Sequence, residues 1–206
     1  MGINKLMTHN CTILVLGHLP SPDNLNGLRS RDIDIDPRTA RRWRSQIKGS
    51  VPLLRCFARL VSVTYCPTSL RHAHSAKLLT RLLEINDPIE DARLNNIDYG
   101  VHKGHALEHT PSRAAMPDLP YEGGESWYQV AARWREFCAE RLPKHDAGVV
   151  LLAGQSGTAP RMLRHICDGI SLVDAVTHAV PHVPFFSATG DIPNDGLVWR
   201  YIWAPN

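Results

Sequence analysis

Three short apolar runs, "CTILVLG" starting at Cys11, "LVSVTYC" at Leu60 and "GVVLLAG" at Gly148, are separated by stretches with helical periodicity. No other feature constrains the fold as much. Runs that are apolar on both faces suit strands covered on both sides, and strands joined through helices run parallel. The expectation is an α/β chain: a three-layer α/β/α sandwich with a largely parallel central sheet. The first helix is read in "IDPRTARRWRSQIKG", with Asp36 suited to the N-cap, Pro37 to the first helical position, and Ala40, Trp43 and Ile47 to one apolar face. Further helices are read in "SLRHAHSAKLLTRLLEI", in "ESWYQVAARWREFCAERL", where Val130, Trp134 and Phe137 recur at helical spacing, and in "TAPRMLRHICDG". The last has Thr158 as its cap and Gly169 as its stop. "PFFSATG" and "GLVWRYIW", joined by the turn "DIPND", read as two more strands.

At 206 residues, 43% apolar and 21% charged, the composition is that of one globular domain over 1–206. A polar, Gly- and Pro-dotted region at about 86–124 is too long for a simple connection and reads as an inserted loop or cap. A net charge of +3 is too small to argue for nucleic acid or a membrane surface. The apolar run near the start reads as a first strand rather than a signal peptide, and Leu6 stands where a myristoylation signal needs Ser or Thr. Five scattered cysteines without a C-x-x-C pair suggest buried free thiols in a reducing compartment, so a cytoplasmic location is expected. Self-association into a homodimer is left open.

In sheets of this kind ligands collect at the carboxyl ends of the strands. Two strand ends carry chemistry: "GHLPSPDN" after the first, with His18, and "GQSGT" after the third, a glycine-rich turn around Ser156 whose N–H groups could cradle an anion. Arg71, near the end of the second strand, needs an anionic or carbonyl partner if it is buried. His102, His105 and His109 could share a helical face and hold a metal, but their loop-like context argues against that helix, so neither metal nor cofactor is expected. His72 and His74 alternate on a helix and take no assigned role. Arg38, Arg41, Arg42 and Arg44 read as a solvated helix face rather than a basic patch.

Taken in order, these pieces resemble the histidine phosphatase superfamily, the phosphoglycerate-mutase-like fold. Its members open with a strand ending in R-H-G-x-[ST]-x-x-N, continue with R-A-x-x-T-A and L-x-E-x-x-x-G, place G-E-S before a long helix, and end a later strand in H-G-G. Here "GHLPSPDN", "RHAHSA", "LNNIDYGVHKG", "GGES" and "GQSGT" fall in that order along nearly the whole chain.

The resemblance implies His18 as nucleophile, with a competing register that would set Gly17 there. It implies Arg71 as phosphate clamp and Ser21 and Asn24 as substrate-loop residues. Gly17 then stands for the family's first arginine, Asn96 for its carboxylic acid and Gln155 for its second histidine. Asn96, Gln155 and Ser156 would line the ligand pocket. Arg29 or Arg31 would restore a cation, and Asp98 or His102 would supply a proton. Such enzymes attack phosphorus with a neutral imidazole, cage the phosphoryl oxygens with cationic donors and protonate the leaving oxygen from an acid. One lost donor costs about 10²–10³ in rate and a lost general acid about 10²–10⁴. The implied function is a divergent phosphomonoester hydrolase or phosphoryl transferase for a phosphorylated or other anionic small molecule. A pseudoenzyme serving as a binding or interaction domain, or different chemistry on the same fold, are the alternatives.

Overall fold

In the computed structural model, which describes residues 11–47, 55, 56, 58–145, 148–177 and 199–203, the three apolar runs form the centre of one sheet. Strands β1 (Cys11–Gly17) and β2 (Val61–Cys66) flank β4 (Val149–Gln155), all parallel. A two-residue β3 (Ile89–Glu90) extends the sheet in parallel beyond β2. On the far side of β1 lies β5 (Trp199–Trp203), which runs antiparallel and makes the sheet mixed. It is the end of the expected strand "GLVWRYIW"; "PFFSATG" and "DIPND" lie outside the described residues.

Period-2 alternation explains why the central runs are apolar throughout. Ile13, Val15, Val150 and Leu152 enter one core with Trp134, Phe137, Met162 and Leu163. Their neighbours Leu16, Leu151 and Ala153 enter the other with Trp43, Ala76 and Leu79. Each strand therefore buries both faces, giving the three layers. One layer holds α2 (Pro37–Ile47) and α3 (Leu70–Leu83); the other holds α4 (Trp127–Arg141), α5 (Thr158–Cys167) and α6 (Leu172–Thr177). A single turn, α1 (Pro22–Leu25), follows β1. None of the described helices is long and apolar enough to cross a membrane.

Local signals account for several boundaries. Asp36 caps α2 by accepting the Thr39 N–H at 2.7 Å, and Trp43 is buried; the side chains of Ile47 and Arg44 are not among those described. Arg38, Arg41 and Arg42 are exposed, as a solvated face requires. Ser126 and Gln129 form a capping box that starts α4. Gly169, at φ +68°, follows the end of α5. The expected Thr158 cap is corrected: Gly157 takes the N-cap position and Ser156 Oγ accepts the Thr158 N–H at 3.2 Å. Thr158 cannot cap because its hydroxyl is engaged by Asn96. Cys11, Cys66 and Cys138 are buried, whereas Cys56 is exposed.

Residues 86–124 are organised by β3 and short 3-10 turns at Ala92–Leu94, Gly100–His102 and Leu107–His109. Two devices hold this segment. A Cβ on Gly100 would lie 1.8 Å from the Glu122 carbonyl and one on Gly124 2.3 Å from that of Asp98, so the two backbones touch where only glycines fit. Arg133 of α4 donates to the carbonyls of Arg93, Asn95 and Asn96 while pairing with Glu125.

Candidate active site at the carboxyl edge of the sheet

β1 leaves the sheet at Gly17, which pairs with Gln155, and the His18 N–H donates to the Gln155 carbonyl at 2.9 Å. His18 is therefore held at the carboxyl edge between β1 and β4. Its Nδ1 lies 2.7 Å from the Leu19 carbonyl, which only accepts. That bond places the proton on Nδ1 and the lone pair on Nε2, the tautomer a nucleophilic imidazole needs. Gly17 has no side chain to offer, and it is His18 that lines the cavity described below.

β2 leads into the first turn of α3, which brings Arg71 and His72 to the same edge. Gly154 permits this approach. It has φ +65°, and a Cβ there would sit 2.2 Å from the His72 carbonyl. Arg71 is only 5% exposed. Its Nη1 donates to the Arg31 carbonyl at 3.3 Å, its Nε is buried without a partner, and no described carboxylate pairs with it. Burial pushes its pKa down to about 10, against the opposing pull of Asp32 and Asp23.

A cavity of about 480 Å³ opens at this edge. Of the sequence-derived candidates, His18, Asn24, Arg29, Arg71, Asn96 and Ser156 line it. Ser21 and Gln155 do not. Ser21 is buried and forms the capping box of α1 with Asn24, accepting the Asn24 N–H while its own N–H donates to Asn24 Oδ1 at 3.0 Å. The Ser/Asn spacing thus builds the turn that carries the loop. Gln155 is buried at the end of β4, its Nε2 turned to the Ala153 carbonyl and its Oε1 without a partner. Asn96 Oδ1 accepts from the Ile97 N–H at 3.0 Å and from Thr158 Oγ1.

The proposed substitutes separate clearly. Arg29 lines the cavity, with its guanidinium 4.3 Å above the Tyr99 ring and Nη1 donating to the Tyr99 hydroxyl at 3.2 Å. Arg31 is turned away to the buried Asp23 at 2.7 Å and, by its hydrogen bonds, holds that carboxyl below the usual range. Asp98 lines a neighbouring cavity of about 400 Å³ and pairs with Lys103 at 2.7 Å. His102 lines neither. Among the described residues no three His, Cys, Asp or Glu side chains could hold a metal together, and His102 and His109 sit on separate 3-10 turns.

Three charged or titratable residues escaped the sequence reading. His72 is buried, with its ring meeting His18 edge-on at 4.6 Å between centroids, Nδ1 bonded to Ser69 Oγ and Nε2 buried without a partner. Burial, then the charges of Arg71 and His18, drive its pKa well below the ordinary value. A signal was available, since His72 shares a helical stripe with the buried Ala76, Leu79 and Leu83. His74, on the outer face, pairs with Asp34 at 2.8 Å. Arg161, in α5, and Arg113, in the 86–124 segment, also line the cavity. Arg161 follows the glycine turn closely enough to be suspected; nothing in the pattern around Arg113 marks it.

The family model of the histidine phosphatase superfamily (branch 1) matches residues 44–182, about two thirds of the chain. The chain belongs to this superfamily, and membership marks a phosphate-related function. The match begins beyond β1, so His18 is placed by the strand end and not by the family model. Among solved structures, mycobacterial glucosyl-3-phosphoglycerate phosphatase is similar at 17% identity and a TM-score of 0.63, over 82% of this chain and 85% of that one. Mycobacterial hydrolase 1 is similar at 18% and 0.62, over 82% and 86%. TTHB049 from Thermus thermophilus is similar at 19% and 0.54, over 76% and 85%. At these identities the likeness is one of fold. No curated protein sequence matches significantly.

Proposed function

We propose that the cavity binds a phosphate monoester, and that hydrolysis there is slow for want of a proton donor. One observation carries the reading: four arginines and His18 line the cavity, and no described carboxylate does. Positive charge in a recessed site, with only uncharged polar and apolar groups beside it, selects an anion. The phosphoryl group would sit between His18, Arg71 and the turn at Ser156, where the start of α5 adds its dipole. His18, with its lone pair on Nε2, would attack phosphorus. The P–O bond to the leaving group would break, and that oxygen would depart as an alkoxide, because Asn96 has no proton to give. The lack of an acid favours a protein that holds its ligand longer than it turns it over, which keeps a binding role beside the enzymatic one. The mycobacterial neighbour named for a phosphatase activity fits the first half of this reading.

The test is calorimetric titration with inorganic phosphate, paired with hydrolysis of an alkyl phosphate. Saturable binding with turnover that is slow and lost in His18→Ala is the expected outcome. No binding would end the anion reading; fast turnover insensitive to His18→Ala would end the assignment of the nucleophile.

A further inference from the structure

The imidazole of His72 takes no part in the attack on phosphorus, yet the fold gives up stability to keep it beside His18. It is 1% exposed, and its Nε2 has no hydrogen-bond partner. An unpaired buried polar atom is destabilising, and where a folded protein keeps one it calls for a reason. His72 lies on the buried stripe of α3 with Ala76, Leu79 and Leu83, where an apolar side chain would have no polar atom to satisfy. Ser69 gives up a bond as well. It stands at the N-cap of α3, where a serine hydroxyl ordinarily accepts a helix N–H, but it makes no such bond. Its Oγ is bonded to His72 Nδ1 instead.

The same helix grips the segment that carries the nucleophile. Ser75 Oγ accepts the Leu19 N–H at 2.9 Å and donates to the Arg71 carbonyl. The Leu19 carbonyl is in turn the acceptor for His18 Nδ1. The His18 ring is thus bonded to a peptide anchored on α3, and it meets the His72 ring at 4.6 Å between centroids and 90° between planes. One hydrogen bond permits a pivot about its axis; contact with a second ring, itself tied to Ser69, opposes that pivot.

We propose that His72 is a positioning residue for the nucleophile: its ring, anchored by Ser69, holds the His18 imidazole in the orientation from which Nε2 attacks. This rests on the assignment of His18 above and adds the group that aligns it. As the N–P bond forms from the Nε2 lone pair and the P–O bond breaks toward the leaving oxygen, the His18 ring takes on positive charge. Hydrolysis of the phosphohistidine returns the pair to Nε2, with the water oxygen on phosphorus and one water proton on the departed alkoxide. His72 neither gains nor loses a proton in this sequence. Burial first, then the charge of Arg71, keep it neutral, so this wall does not repel the charge that develops beside it.

The probe is 4-nitrophenyl phosphate, whose leaving group departs without a proton donor, so that its release reports the attack alone. Release is followed by stopped flow with enzyme in excess, beside calorimetric titration of inorganic phosphate. In His72→Leu, of similar bulk but without the ring, the saturating rate constant should fall by roughly tenfold or more while the Kd for phosphate stays within about twofold. His72→Phe should recover most of the rate, because an uncharged ring again meets His18. Ser69→Ala keeps the ring and removes its anchor; it should lower the rate in the same direction, and it replaces His72→Leu if that variant does not fold. A rate unchanged in both His72→Leu and Ser69→Ala overturns the positioning role. So does a Kd for phosphate that rises as far as the rate falls, which would mark a general disturbance at Arg71. If wild type releases nothing, or His18→Ala releases as fast, the nucleophile is misassigned and His72 loses its role with it.

Discussion

Arg71→Met should make the ligand-free protein more stable and, at the same time, less responsive to phosphate. Arg71 is buried with one long hydrogen bond to the Arg31 carbonyl and no described carboxylate partner. Its pKa is displaced from 12.5 to about 10 with burial as the main cause. That displacement corresponds to about 3 kcal/mol of unfavourable burial of the charged form. Methionine keeps the apolar stem and removes the charge, at the loss of about 1 kcal/mol for the hydrogen bond. The balance is a gain of about 2 kcal/mol, or about 4–8 °C in Tm for a chain of this length. Phosphate at a hundredfold excess over Kd should stabilise wild type by about 2.7 kcal/mol. Without the charge-assisted contacts Kd rises roughly tenfold or more, so the same phosphate concentration stabilises the variant by about 1.4 kcal/mol at most and at least about half of the response disappears. Scanning calorimetry of both proteins at pH 7, with and without phosphate, reads both effects. A ligand-free Tm that falls in the variant while its phosphate response is retained would refute the reasoning, because Arg71 would then be part of a satisfied structural network.

Three further outcomes are expected. Asn96→Glu should restore a proton donor and raise hydrolysis of an alkyl phosphate by about 10²-fold or more, measured by phosphate release; an unchanged rate would show that the acid is not the missing part. Gly154→Ala should destabilise by about 2–5 kcal/mol in urea denaturation, since its Cβ meets the His72 backbone at 2.2 Å and φ is +65°; a neutral substitution would mean that α3 does not need that close approach. The folded pKa of His72 lies well below 6.5, so below pH 6.5 the unfolded chain takes a proton that the folded one refuses. Stability should therefore fall with falling pH, by up to about 1.4 kcal/mol per pH unit from this group. His72→Leu should flatten the slope between about pH 6.5 and 5, and equal slopes in urea melts of the two proteins would contradict the placement of His72.

The elements were legible because their signals are local. A run such as "CTILVLG" reports burial of both faces within seven residues, and Asp36 caps α2 through a bond to Thr39 three positions on. Order along the chain carried the rest, since strands separated by helices leave few topologies. One local signal can serve two ends: the spacing of Ser21 and Asn24 matches a substrate-loop motif and also makes a capping box, and Asn24 lines the cavity as well. Thr158 resembled a cap, but a partner 62 residues away holds its hydroxyl. The composition of the cavity is decided wholly by tertiary structure. Arg29, Arg71, Arg113 and Arg161 come from a loop, two helices and the 86–124 segment, and their shared charge exists only where those backbones converge. The same holds for His72, which became a neighbour of His18 because Gly154 lets one helical turn close on β4. Hydrogen-bond caps and periodicity act over a few residues and are written in the chain; burial, pKa and charge complementarity depend on which distant residues meet, and that is settled by packing.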